Sequence, residues 1–183
     1  MLNHSGTAVI TTKRLRLRPY CSADAQAMFD NWASDERVTK YMTWQPHKDV
    51  SVTQGLIDMW VEGYVSSTVY RWGIELDHEL VGDISVVKWQ EDDAWCEIGY
   101  CLAPKCWNQG IMTEALEAVL AYLFDTVGFH RVQLRHDSNN PASGRVMQKC
   151  GMQFEGVHRG AVRRRDGSWA DICVYGMLGS DRK

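Results

Sequence analysis

An α/β fold built on a mixed, mostly antiparallel sheet is what this sequence predicts, and three observations carry the prediction. Residues 69–76, 80–89 and 95–102 follow one another as runs rich in Val, Ile, Trp and Tyr. Asp77-His78 and Glu91-Asp92-Asp93 separate them as turns, which is the pattern of an antiparallel meander. From Met112 the apolar residues Ala115, Leu116, Val119, Leu120, Leu123 and Phe124 keep the three-and-four spacing of one buried helical face. Helical and strand patterns continue on both sides with no repeat, low-complexity run or linker, so residues 1–183 read as one domain.

Taken in order, residues 11–18 alternate charged and apolar side chains and read as a first strand, stopped by Pro19. Ser22 is placed to cap a short helix with Ala25, Met28, Phe29 and Trp32 on one side. Ser34-Asp35-Glu36 is a second cap signal ahead of Val38 and Tyr41. After Pro46 a longer helix carries Val50, Ile57, Trp60, Val61 and Tyr64 and ends near Gly63. Beyond the meander and the helix from Met112, residues 131–135 form a short strand. Asn140-Pro141 then opens a helix with Val146 and Met147 inward, stopped at Gly151. Residues 154–162 and 170–178 form a hairpin closed by Arg165-Asp166-Gly167-Ser168.

The 183 residues carry a formal charge of −3 and are 45% hydrophobic, which describes a globular chain with a core. That charge gives no reason to expect nucleic acid or an anionic membrane as partner. No apolar run is long enough to span a bilayer, and the first residues lack the layout of a secretory signal. Six cysteines without a C-x-x-C pair read as reduced, packed thiols, and the cytoplasm is the expected location. Arg14, Arg16 and Arg18 alternate with Leu15 and Leu17, as on the solvated face of a strand. His130 and His136 have no other ligand-type residue spaced to complete a metal site, so no metal is expected.

The stretch Trp107-Asn108-Gln109-Gly110-Ile111-Met112-Thr113 joins a strand to the long helix. Glycine stands where the backbone must turn or approach something closely. A helix starting there aims unpaired N–H groups and the positive end of its dipole at whatever lies in front, and phosphate is the usual occupant.

EIGYCLAPKCWNQGIMTEAL and NPASGRVMQKCGMQFEGVHRG, in this order and at this separation, resemble the acetyl-CoA strand, pyrophosphate turn and following helix–strand unit of the GNAT superfamily of N-acetyltransferases. The likeness is to the RimJ/RimL-like branch, which acetylates protein N-termini. It covers nearly the whole chain, from TKRLRLRPY to DICVYGML. Two positions depart from the superfamily pattern of Arg or Gln, two residues, Gly, one residue, then Gly or Ala: Trp107 and Met112. Trp107 is common in the branch. Met112 puts a bulky side chain at a close-approach position, where it either narrows the site or turns into the core.

The resemblance implies a twisted, mostly antiparallel sheet of about seven strands with a splayed parallel pair and flanking helices. It implies acetyl-CoA as co-substrate, its pantetheine arm paired with the exposed backbone of Tyr100, Cys101 and Leu102. Asn108, Gln109, Gly110, Ile111, Met112 and Thr113 would hold the pyrophosphate through main-chain N–H groups. Asn140 would contact the cofactor arm, and Ser143 would present a hydroxyl to the sulfur as general acid or hydrogen-bond donor. Both residues also have a plain structural reading at a helix start, Asn140 as N-cap and Ser143 as a partner for a free N–H.

Acetyl transfer also needs a base, and Glu97, on the cofactor strand, is the candidate, sharing a face with Trp95, Gly99 and Cys101. An edge ion pair is its structural alternative, and Glu75 and Asp83 are the other carboxylates on neighbouring strands. Lys149 beside Cys150 would lower that thiol's pKa, but no partner base stands out, so direct attack in a ternary complex suits these residues better than an acyl-enzyme. The acceptor is an amine, at a protein or peptide N-terminus or on a small molecule such as an antibiotic, toxin or polyamine. A non-catalytic acyl-CoA-binding domain is the reading from another class. Trp32, Trp44, Trp60 and Trp169 with Asp35, Glu36 and Asp171 would suit a cationic amine, or equally a core. A monomer or homodimer is expected.

Overall fold

Strands β1 (Ile10–Thr11), β2 (Leu15–Arg18), β3 (Arg71–Leu76), β4 (Glu79–Gln90), β5 (Trp95–Leu102), β6 (Arg131–Asp137), β7 (Gln153–Arg163) and β8 (Trp169–Leu178) form one sheet. The computed structural model describes residues 1–182 and orders the strands β1-β2-β3-β4-β5-β6-β8-β7. Every neighbouring pair is antiparallel except β5–β6, which is parallel. The helices are α1 (Ala25–Met28), α2 (Glu36–Thr39), α3 (Val50–Gly63), α4 (Ile111–Tyr122) and α5 (Pro141–Lys149). Among the described residues no helix is long and apolar enough to cross a membrane.

The eighth strand comes from the N-terminus. Residues 11–18 are not one strand but the end of a tight hairpin, because the Thr12 hydroxyl accepts the Leu15 N–H at 3.0 Å and turns the chain. Leu15 and Leu17 point into the core as their alternation requires. The intervening arginines are paired rather than merely solvated: Arg14 with Glu114, Arg16 with Glu75, Arg18 with Glu75 and Asp24.

Successive residues of β3 show how the two layers form. Trp72 faces α4 and meets Tyr122 edge-on at 5.7 Å, while Arg71 points the other way and lies over the Trp60 ring of α3 at 3.9 Å. The α1–α3 layer thus covers one face of the sheet and the α4–α5 layer the other.

The first helix differs from its expected form. Ser22 does not cap it, since its hydroxyl binds Asp58 at 2.7 Å. Asp24 takes the Cys21 N–H instead, at 2.8 Å. α1 lasts four residues and then widens into a π turn over Phe29–Ala33, where the Phe29 carbonyl accepts the Ser34 N–H at 3.3 Å and its hydroxyl at 2.8 Å. Asp35 and Asp49 cap α2 and α3 by accepting the N–H two residues on.

The element that positions the site is the parallel pair. β5 and β6 stay in register from Trp95↔Arg131 to Ile98↔Leu134 and then part. β5 follows β4 on to Leu102, while β6 follows β8 on to Asp137. A bulge at Val87, between Val86 and Lys88 of β4, lies beside the parting point, where the extra twist of a bulge turns β5 away.

Candidate active site

Where the strands part, the β6-facing backbone of Gly99–Leu102 has no strand partner, an open edge of the kind an extended ligand can extend. The Tyr100 side chain crosses the gap towards α5, its hydroxyl 2.9 Å from Ser143 Oγ and 3.0 Å from the Ser143 carbonyl. Burial holds this phenol well above its usual pKa, so it is a donor at neutral pH. Burial likewise pushes up the Cys101 thiol, on the opposite face of β5. The Leu102 carbonyl accepts the Trp107 indole N–H at 2.8 Å, which ties the following turn to the strand end.

The turn itself is set by two left-handed residues, Asn108 at φ 60° and Gly110 at φ 75°. Gly110 is the N-cap of α4 and offers no side chain, so the N–H groups of Ile111, Met112 and Thr113 face outward without intrahelical partners. Met112 has turned its side chain into the core and is 5% exposed, so its bulk does not project from the turn. Arg14, in the β1–β2 turn, braces this corner: Nη1 donates to the Gln109 carbonyl at 3.0 Å and Nε to Glu114 at 2.7 Å. Thr12 also binds Glu114, at 2.6 Å, so the one carboxylate in the first turn of α4 is neutralised.

At the start of α5, neither plain helix-start reading describes the side chains. Asn140 occupies the N-cap position, but its side chain makes no capping hydrogen bond. The Ser143 hydroxyl pairs with Tyr100 rather than with a helix N–H. The helix lies so close to β6 that a Cβ at Gly144 would come within 2.6 Å of His136 Nε2. Cys150 departs from expectation: burial raises its pKa to about 12, and Lys149 does not reverse this.

The three candidate carboxylates separate by position. Glu97 is buried and held by Arg135 at 2.9 Å and Gln133 at 3.3 Å, both from β6. Glu75 is bound by Arg16 and Arg18. Only Asp83 joins the wall of the cavity that runs through the site. Its carboxylate accepts from Arg71 at 2.9 Å and from the Tyr20 hydroxyl at 3.1 Å.

That cavity, about 1300 Å³, passes from Asn108, Gly110 and Thr113 along Gly99–Leu102 to the α1–α3 layer. Trp32, Trp44 and Trp60 line its far end with Val52, Leu56, Met59 and Val87. Trp169 is absent from the wall and 63% exposed. The acidic residues Asp35, Glu36 and Asp171 are absent from the wall as well, and Asp35 is paired with Arg37. His47, in the wall, has its pKa lowered by burial and binds Thr53 at 2.7 Å. The β7–β8 hairpin reaches the same region through Arg164, which holds Asp137 at 2.7 and 2.8 Å, and Arg165, which donates to the Thr39 carbonyl at 2.7 Å.

Sequence reasoning missed three parts of this site: the Tyr100 side chain as partner of Ser143, the buried Arg71–Asp83 pair, and the Arg164–Asp137 clamp. Tyr100 was readable only as a backbone donor. Arg71 had one signal, a charge ahead of the uncharged run Trp72-Gly73-Ile74.

The open edge of β5 and the glycine-turned start of α4 could take an extended donor that ends in phosphate, with Tyr100 and Ser143 facing it across the gap. Residues 14–153 match the family described as Acetyltransferase (GNAT) domain, and the chain belongs to that family. It is an acetyl-CoA-dependent N-acetyltransferase. The uncharacterized N-acetyltransferase YoaA of Bacillus subtilis (strain 168) is 31% identical over 172 residues, 93% of this chain and 96% of that protein. The [ribosomal protein uS5]-alanine N-acetyltransferase of Escherichia coli (strain K12) is 28% identical, over 94% of this chain and 91% of its own. Among solved structures, a GNAT-family acetyltransferase from Bacillus anthracis superposes with a TM-score of 0.83 at 27% identity, covering 94% and 99% of the two chains.

Proposed function

We propose that the acceptor is the α-amine of a peptide or protein N-terminus, acetylated by direct attack while both substrates are bound. The observation that carries this reading is the lining of the far end of the cavity. Its walls are largely aromatic and aliphatic, and the carboxylates in the cavity wall, Asp83 and Asp137, are already matched by Arg71 and Arg164. A polyamine or aminoglycoside brings several charges that this lining does not balance, and stripping them of water costs several kcal/mol each, an order-of-magnitude figure. A chain end brings one amine and an apolar flank. The uS5-alanine acetyltransferase among its relatives supports the same choice.

In this reading the Gly99–Leu102 edge pairs with the pantetheine arm, and residues 108–113 hold the pyrophosphate by main-chain N–H groups. Lys149, in the cavity wall, adds positive charge near that turn. Asn140, its side chain uncommitted to the cap, is available to the cofactor arm. The amine gives up a proton, its nitrogen bonds to the acetyl carbon, the carbon–sulfur bond breaks, and the departing thiolate takes a proton. Ser143, backed by Tyr100, supplies that last proton or hydrogen bond. Asp83 takes up the first through a bound water in preference to Glu97, because Asp83 stands in the cavity wall and Glu97 does not. With Cys101 and Cys150 held protonated by burial, direct transfer needs no thiolate intermediate.

Free CoA release and product mass spectrometry with alanyl peptides, spermidine and an aminoglycoside test the reading. Peptide turnover at a kcat/KM at least ten times that of the polycations is expected. Preferential acetylation of the polycations would reverse the assignment, and binding of acetyl-CoA without CoA release in the presence of any of these amines would return the protein to a binding role.

A further inference from the structure

Arg135 stands at the point where β5 and β6 part. The last register pair is Ile98↔Leu134, so Arg135 is the first β6 residue beyond it, and it joins the cavity wall. Alternation along β6 sends His136 towards α5, against Gly144, and turns Arg135 to the α1–α3 face, where it meets Glu97. The other arginines around the acceptor end are committed: Arg71 to both oxygens of Asp83, Arg37 to Asp35, Arg164 to Asp137, and Arg165 to Thr39 and Gln45. Arg135 is not. Its side chain is 50% exposed, its Nε lies 2.9 Å from Glu97 Oε1, and its two Nη groups donate no hydrogen bond among the described residues. Two further free cations of the wall, Arg145 and Lys149, lie one turn apart on α5, and Lys149 also borders Gly110 and Thr113, which puts that pair on the donor side. Arg135 and Lys40 are left facing the acceptor, while the wall carboxylates Asp83 and Asp137 already have their arginines. The acceptor end therefore carries unbalanced positive charge.

We infer that the Arg135 guanidinium receives a carboxylate carried close behind the acceptor's amine, which makes Arg135 a specificity-determining residue for acidic chain ends. The inference rests on the acceptor reading above and deepens it. A guanidinium presents parallel N–H groups in a fork that matches a carboxylate, and no internal partner occupies this fork. An ammonium ion entering alone meets like charge, whereas an amine followed by a carboxylate arrives with its own charge balanced. The carboxylate belongs either to an acidic side chain at the second or third residue or, in a very short acceptor, to the chain's own C-terminus.

KM values for paired acceptors test it. Amidated alanyl peptides with Glu or Gln at the second or third residue isolate the side chain, and the dipeptide Ala-Gln as free acid or amide isolates the terminus. Wild type is expected to show a KM about 5-fold lower for the charged member of at least one pair, the size of one ion pair at a half-exposed site, and to lose that preference in high salt. Arg135→Gln should bring the ratio within about 2-fold by raising KM for the charged member, with kcat little changed, and Arg135→Lys should keep part of the preference. A purely structural role through Glu97 would instead lower the melting temperature and move both members of a pair alike, which overturns the inference. Preference in the Glu and Gln pairs assigns acidic side chains, and preference for the free acid alone assigns short acceptors. A wild-type ratio within about 2-fold in every pair, or a preference that survives Arg135→Gln, overturns the role of Arg135. If wild type turns over no peptide, the acceptor reading fails separately, and the same ratio is taken on glutamic acid α-amide and glutaminamide, where parity again overturns the role of Arg135.

Discussion

The two faces of the sheet meet at the same gap but are built from different materials. On the α4–α5 face the site is main chain: the open edge of β5, the left-handed turn at Asn108 and Gly110, and the free N–H groups of α4. On the α1–α3 face it is side chain: three tryptophans, a buried Arg71–Asp83 pair and a π turn. Every residue but proline has an N–H, so a turn of the first kind keeps its donors with Trp107 and Met112 where the superfamily pattern has others. The second kind changes whenever a side chain changes, which is where acceptor choice can diverge while the donor stays acetyl-CoA.

The largest effect that would separate the faces is at Asp83. Asp83→Ala leaves the half-buried Arg71 without its counter-ion and the buried Tyr20 hydroxyl without its acceptor, and breaking a fully buried pair costs about 3–5 kcal/mol, so a loss of about 2–4 kcal/mol is expected. Urea unfolding should show that loss, while CoA affinity of the folded fraction stays within a few-fold. A stability change under about 1 kcal/mol would mean that water screens the pair as it does at a surface. Next in size is Gly110→Val. A Cβ there would sit 3.6 Å from Arg14 Nη2, an ordinary contact, so the penalty comes from the φ of 75° and not from crowding. CoA binding by calorimetry should weaken about 10–100-fold, since a β-branched residue resists this conformation. Equal affinity would remove the turn from the phosphate site.

The same contrast explains what the sequence made legible. β5 runs over Trp95–Leu102 as its composition indicates, and the turn after it is marked by Gly110, because main-chain geometry leaves signatures in local sequence. The side-chain face depends on pairs such as Arg71 with Asp83, 12 positions apart, and Arg164 with Asp137, 27 apart, which no local pattern encodes. Asp35, Glu36 and Asp171 illustrate the failure. They lie in the right segments but outside the cavity wall, and two of them are held elsewhere, Asp35 by Arg37 and Asp171 by the Gly160 N–H. The π turn was equally hidden, since Ala25, Met28, Phe29 and Trp32 fit an ordinary helix until Ser34 reaches back to Phe29.

On the α4–α5 face, Ser143 and Tyr100 form a side-chain pair across the gap. Ser143→Ala should lower kcat by about 10–100-fold and leave CoA affinity nearly intact, as for a group that acts on the departing sulfur. Tyr100→Phe should reproduce part of that loss, because it leaves the serine hydroxyl without the partner that orients it. Full activity in Ser143→Ala would reduce the pair to a structural strut. Glu97→Gln is expected to change kcat by less than about 3-fold, and a loss near 100-fold would restore Glu97 as the base.

The smallest effect belongs to the hairpin clamp, and it has a definite pH signature. Hydrogen bonds from Arg164 hold the Asp137 carboxyl below its usual pKa, with burial opposing them. A depressed carboxylate adds stability that is fully present above its unfolded pKa of about 3.9 and is lost as pH falls through the lower folded value. The clamp is therefore closed at neutral pH and should release only below about pH 4. Trp169, exposed at the start of β8, reports on it: its emission should be flat from pH 8 to 5 and shift only in acid. Arg164→Ala should abolish that acid transition and raise the acceptor KM a few-fold, with kcat and CoA affinity unchanged. The split follows from position, since the hairpin borders the cavity through Asp137 and α2, at a distance from the turn at residues 108–113. Were CoA affinity to fall with the acceptor KM unchanged, the hairpin would belong to the donor site, and the division of labour between the two faces would have to be redrawn.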